Sequence, residues 1–257
     1  MEIIRETSIA VVKLMAKIFL RVNVSGMERV PASGPVILAT NHVNFIEPLL
    51  LYTLSPREPI GLGKAEIWQN PILRLVAQSW HAIPIRRGEL DLDAMRCALQ
   101  VIREGKMLGL APEGTRSHDG RLQRGRPGTV LLALRATDAL ILPVAAYGQE
   151  HFAKNLSRLR RTEVHMVFGQ GFYLDSGGTR VTHEMRQEMI DEIMMQIAAL
   201  LPPENRGVYS DLTAATERYL RFPPGAKSNL HQAVAADSTR LPLQAGAVAS
   251  PSERTGP

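Results

Sequence analysis

Short apolar runs alternate with longer stretches of helical periodicity through most of this 257-residue chain, and that alternation limits its fold more than any other feature. Residues 36–40, 59–63, 82–85, 107–111, 139–147 and 163–169 read as strands. Segments 48–54, 66–79, 90–104, 127–137 and 183–201 read as helices, with a last helix at 211–220. Strands that take turns with helices, several of them apolar throughout, predict an α/β domain: one layered unit with a largely parallel central sheet flanked by helices. Residues 23–222 are assigned to it. From residue 223 to 257 Pro, Gly, Ser, Ala and Thr dominate and no apolar period survives, so this stretch is expected to be a disordered tail.

The chain's start has a different pattern. Lys13, Lys17 and Arg21 recur every four residues, and Val11, Met15, Ile18, Phe19 and Val22 fall on the opposite side of a helix. The stretch is too short and too charged to cross a bilayer, which takes about 20 mostly apolar residues. Residues 1–22 are therefore read as an amphipathic helix. Such a helix can lie on a membrane surface or pack on the chain's own core, and periodicity alone leaves both open.

A formal charge of +5 and a pI near 9.6 suit anionic partners. Aromatics at 5% argue against single-stranded nucleic acid, which binds by stacking. Cys97 is the single cysteine, which excludes an internal disulfide and a cysteine metal cage. With no signal-peptide pattern at the start, a cytosolic location is expected.

Three strand-end segments carry side chains suited to chemistry. In the first, His42 and Glu47 stand five apart, on opposite sides of any continuous helix. Asn41 and Asn44 favour a turn, and Pro48 suits the first helical position while pushing Glu47 out of helical geometry. Such a turn can fold the carboxylate against the imidazole and leave the second ring nitrogen as a base, although the same spacing also occurs in ordinary surface loops. In the second segment, Glu113, Gly114, Thr115 and Arg116 follow an apolar strand. Gly114 permits close backbone approach and Arg116 offers a bidentate fork, with Arg121, Arg124 and Arg126 nearby. The third segment, Ile83 to Gly88, ends a strand with Arg86 and Arg87. A solvated basic turn would look the same in both. The nucleophile elbow of hydrolases, the two-histidine zinc helix, the phosphate-binding loop of nucleotide hydrolases and the dinucleotide fingerprint are all absent.

Taken in order over residues 20–205, these segments resemble the lysophospholipid acyltransferase family, typified by 1-acylglycerol-3-phosphate acyltransferase. The resemblance rests on Gly26 to Pro31, Asn41-His42, Gly63-Lys64, Asn70-Pro71, Ile83 to Arg86, Pro112 to Ser117 and Ile141 to Val144. It implies that His42 deprotonates the free hydroxyl of lysophosphatidate, which attacks the thioester of acyl-CoA or acyl carrier protein as co-substrate, with no metal and no cofactor. It implies substrate binding by Lys64, Arg86 and the Glu113, Gly114, Thr115, Arg116 loop, and places Pro143 near the acyl chain. It also implies peripheral attachment to the cytosolic face of an anionic membrane. The family's first motif has aspartate where Glu47 stands, and no acid precedes Arg86. Another lysophospholipid or an amino-acid-containing lipid as acceptor, or a lipid-binding relative without activity, fits the same residues.

Overall fold

Strands that are apolar on both faces need helices on both sides, and this sheet has them. The computed structural model describes residues 1–86, 91–231 and 233. The central strands are β1 (Leu20–Ser25), β2 (Val36–Thr40), β3 (Pro59–Lys64), β4 (Ile83–Ile85), β5 (Met107–Leu110), β6 (Leu140–Tyr147) and β7 (Thr162–Phe168). They lie in the order β1-β7-β6-β2-β5-β3-β4. Strands β2 to β6 are parallel to one another. Strand β7 is antiparallel to β6 and β1 runs parallel to β7, so these two strands reverse relative to the other five. A ribbon of β8 (Tyr173–Leu174) and β9 (Leu220–Arg221) stands apart.

Side chains alternate between the sheet's two faces, so each strand feeds two cores. On one face Ile37, Ala39, Leu108 and Ile141 meet α4 (Leu92–Arg103), α5 (Gly128–Arg135) and α7 (His183–Ala198). On the other, Leu38, Val144, Val164 and Phe168 meet α1 (Glu2–Phe19), α2 (Ile46–Leu54) and α6 (Phe152–Leu156). Helix α3 (Pro71–Ser79) packs against α1. Asn70 caps it by accepting from the Ile72 and Leu73 N–H groups. Among the described residues no helix is long and apolar enough to cross a membrane.

The largely parallel α/β architecture agrees with the sequence reading, while several boundaries move. The first helix ends at Phe19, not at residue 22, because Leu20–Ser25 pairs residue by residue with β7. Arg21 and Val22 therefore belong to a strand, not to the amphipathic helix. The expected helix at 66–79 divides at Asn70 into a 3-10 segment, Ala65–Gln69, and α3. The expected helix at 211–220 is instead a 3-10 turn, Leu212–Ala214, followed by β9.

The expected tail also begins too early. Ser228, Asn229, Leu230 and Ala233 are buried, and Asn229 bonds both Gln196 of α7 and the backbone of Gln170. These polar side chains take the place of the missing apolar period. The remainder of that stretch, residues 234–257, lies outside the described residues, as do Arg87 and Gly88.

Candidate active site

Because β2 to β6 are parallel, their carboxyl ends share one edge of the sheet, where open α/β sheets hold their ligands. His42 follows β2, Lys64 ends β3, Arg86 follows β4 and Glu113 follows β5, so the sheet itself gathers residues far apart in sequence. Asn41 fixes the start of the His42 loop. Its carboxamide accepts from the Ala146 N–H at 2.7 Å and donates to the Ala146 carbonyl at 2.8 Å, extending the β2–β6 ladder by a side chain.

The imidazole of His42 is nearly buried, and its Nδ1 meets Oε1 of Glu47, which is fully buried. Glu47 also accepts from the Val43 N–H at 3.2 Å and the Asn44 N–H at 3.1 Å. Asn44 in turn accepts from the Ile46 N–H at 2.8 Å. An Asn whose side chain bonds the first turn, with a Glu three residues on reaching back to its N–H, is a capping box. Glu47 thus lies inside the first turn of α2, not before a helix starting at Pro48 as expected. Proline is accommodated because first-turn N–H groups have no intrahelical acceptor. The carboxylate holds the ring with its proton on Nδ1, which leaves the Nε2 lone pair free.

Glu113 is buried with both oxygens committed. Oε1 accepts from the His42 N–H at 2.8 Å and Oε2 from the Gln123 N–H at 2.9 Å. The Ser117 N–H closes the clamp by donating to the His42 carbonyl at 2.7 Å. Burial pushes the Glu113 carboxyl up to about 7, against the two backbone N–H groups that favour its charged form. Its bonds thus address the backbone of the His42 loop. Gly114 has φ +69°, and a Cβ there would meet Cδ of Arg126 at 2.9 Å. Glycine therefore meets both a left-handed backbone and the Arg126 stem lying over it.

The cations along this edge have different settings. Arg116 is exposed beside His42's neighbouring strand. The Arg86 N–H and Nε donate to Asp91 at 3.0 and 3.3 Å, so the acid absent before Arg86 is supplied five residues after it. Asp91 also caps α4 through the Ala94 N–H, and these backbone bonds, Arg86's first, hold its carboxyl down to about 2. Lys64 pairs with Glu66 at 2.8 Å. At about 4.8 Å per strand, the strand bearing Arg86 is roughly 14 Å from that bearing His42, whereas Arg116's is one spacing away.

A cavity of about 780 Å³ is lined by Glu113, Thr115, Arg124 and Arg126 and by His183, Glu184 and Gln187 of α7. Glu113 and Thr115 are the expected site residues on its wall. Pro143 is not brought there. It is buried in mid-sheet opposite Ala39, and its carbonyl accepts from the Gly169 N–H where β7 leaves the ladder. Asn41 and Asn44, expected only to favour a turn, anchor the loop and cap α2 by side-chain bonds, and Asp91 carries no expectation from the sequence. The asparagines flank His42 in the motif, and Asp91 stands three residues before Ala94 in a helix-capping pattern.

Residues 21–147 match the family model described as Acyltransferase. Over those residues the chain is similar to the acyltransferase family. The curated proteins it is similar to are 1-acyl-sn-glycerol-3-phosphate acyltransferases. One from Borreliella burgdorferi is 31% identical over 136 residues, 52% of this chain and 54% of that protein. A chloroplastic one from Arabidopsis thaliana is 27% identical over 145 residues, 54% of this chain and 40% of that protein. One from Bacillus subtilis is 28% identical over 145 residues, 54% of this chain and 70% of that protein. The chain thus spans about half the length of the first two relatives. The crystal structure of a 1-acyl-sn-glycerophosphate acyltransferase from Thermotoga maritima superposes with a TM-score of 0.57 at 20% identity, covering 76% of this chain and 80% of that one. At that identity the likeness concerns the fold.

Proposed function

We propose that this chain is a 1-acylglycerol-3-phosphate O-acyltransferase of phospholipid biosynthesis, with His42 as general base. The observation that carries this reading is the buried His42–Glu47 pair, which leaves one imidazole nitrogen free at the ligand-bearing edge of the sheet. Nε2 takes the proton of the acceptor's free hydroxyl as its oxygen attacks the thioester carbonyl of acyl-CoA or acyl carrier protein. The tetrahedral intermediate collapses with loss of the thiolate, which takes the proton from the imidazolium. Glu47 stabilises that imidazolium. Transfer is direct, and no metal or cofactor takes part.

Arg116, next to the Ser117 whose N–H bonds the His42 carbonyl, is the nearer cation for the acceptor's phosphate, with Arg86 and Lys64 farther along the edge. The Glu113 clamp sets the depth of the His42 loop, while Gly114 and Thr115 shape the wall between them. The enzyme works on the cytosolic face of an anionic membrane, held there by α1.

His42→Ala should lower acyl transfer by about 10²- to 10⁴-fold, the usual contribution of a positioned base, with lipid binding kept. Thioester cleavage followed with and without lysophosphatidate tests this, and a panel of other lysophospholipids and amino-acid-containing lipids tests the acceptor. Turnover by His42→Ala near that of the parent would refute the mechanism.

A further inference from the structure

Helix α1 has two faces with different fates. Arg5, Ser8, Val12, Ala16 and Phe19 fall within an arc of about 80° at roughly 100° per residue, and all are half-buried. Two polar ties hold this face down: Arg5 bonds Glu58 at 2.7 Å, and the Trp80 indole N–H donates to Ser8 at 2.7 Å. Trp80, at the end of α3, is itself stacked on Tyr52 of α2. The helix is therefore seated on the domain and cannot turn its other side inward. On that other side Ile3, Val11, Leu14 and Ile18 are 78, 51, 54 and 47% exposed, again within about 80° of one another.

Helix α3 lies against α1 and also exposes apolar side chains. Ile72, Leu73 and Leu75 are 72, 50 and 42% exposed. Three apolar side chains exposed on nine residues of helix are more than a solvated surface needs. Ser8, the residue tied to Trp80, lies at the edge of α1's packed-away stripe, about 60° round the helix from Val11 of the exposed stripe, so α3 borders the exposed stripe on that side. On the opposite border Lys13 and Lys17, both exposed, stand beside Leu14 and Ile18 in the second half of the helix, while the exposed Glu2 and Glu6 occupy that border in its first half. In that second half, apolar side chains bordered by cations match the boundary between the acyl chains and headgroups of an anionic bilayer.

We propose that α3 is a second membrane-contacting element, which with α1 makes one lipid-facing surface of two helices. The inference rests on the reading of α1 as an attachment helix and extends it to a part of the domain lying between β3 and β4. Two adjacent helices fix the rotation of the domain on the membrane, which a single helix leaves free. Contact on α3 also puts the lipid surface next to the segment that ends at Arg86.

Co-sedimentation of the full chain with phosphatidylglycerol–phosphatidylcholine vesicles tests the proposal. Ile72→Ser combined with Leu73→Ser and Leu75→Ser should weaken partitioning at least tenfold, with an unchanged thermal unfolding midpoint because all three side chains are exposed. Leu14→Ser combined with Ile18→Ser should weaken it likewise, and pure phosphatidylcholine vesicles should bind every form less. Acyl transfer between short-chain, monomeric donor and acceptor should be unaffected in both variants. Release by the α1 variant with full binding by the α3 variant would overturn this inference and leave the α1 reading intact. Full binding by both would overturn both. If the parent sediments as a dimer that only the α3 substitutions dissociate, with vesicle binding kept, the surface belongs to a second copy of the chain and the proposal is wrong.

Discussion

Replacing Glu47 tests the site at its most connected atom pair. In Glu47→Gln one carboxylate oxygen becomes an NH2 group. Placed at the Oε1 position, that group would face two donors, the ring nitrogen of His42 and the Val43 N–H; placed at Oε2, it would face only the Asn44 N–H. The second placement wins, leaving one buried N–H unsatisfied, and that costs about 1–3 kcal/mol of stability. The ring keeps an acceptor but loses the negative charge that stabilises the imidazolium, so kcat should fall by about 10²-fold or more with the protein still folded. Glu47→Asp keeps the charge but withdraws it by about 1.5 Å, one carbon–carbon bond. Bonds of 3.1 and 3.2 Å to the Asn44 and Val43 N–H groups then pass the limit of useful hydrogen bonding unless the first turn of α2 shifts. Turnover should rank Glu, Asp, Gln. Steady-state acyl transfer, with circular dichroism to verify folding, reads the order. Glu47→Gln turning over within a factor of two of the parent would mean that this residue only caps α2 and that its charge plays no part in transfer.

The two arginines should separate by distance from His42. Arg116→Ala should raise the acceptor KM about 10- to 100-fold, the worth of one charge-assisted contact, and Arg86→Ala less than tenfold; equal effects would refute the nearer-cation assignment. Glu113 should leave a signature in stability against pH. Its carboxyl lies near 7 when folded against an ordinary 4.5, so the folded state holds the proton more tightly and stability drains as pH rises through that window, by up to about 3 kcal/mol. Glu113→Gln has no such proton, so urea titrations at pH 5 and pH 8 should show the parent losing ground to the variant as pH rises; a constant difference would refute the assigned titration.

Both fold and site could be read where the chemistry is local. Strands β2 and β6 are unbroken apolar runs, and His42 with Glu47 lies within one turn. Strand β1 was hidden because its alternating Leu20, Arg21, Val22 and Asn23 also continue the four-residue spacing of Lys13 and Lys17. The Glu113 clamp could not be read, since its partners are backbone N–H groups that leave no mark in sequence, one of them 71 residues away. Likewise, Glu192 is 2% exposed and looks like a surface acid of α7, but it accepts from the Thr216 hydroxyl and the Arg218 and Tyr219 N–H groups, which only the returning chain provides. Pro143 sits in an interior strand where it faces Gly169, one residue past the end of β7, so the N–H that proline lacks falls at the end of that ladder.

The strand order has a consequence for how the protein is made. Strand β2, wholly buried, is flanked by β5 and β6, and both lie later in the chain than β3 and β4. A ribosome that has delivered residues 1–106 has therefore produced an apolar ribbon with neither of its hydrogen-bonding neighbours. The half-built sheet has open edges on both sides of its future centre until residues 107–147 insert there. Long-range pairing of this kind closes slowly and leaves sticky intermediates waiting. Expression yield should therefore respond to chaperone supply and to synthesis rate more than the finished domain's stability would suggest.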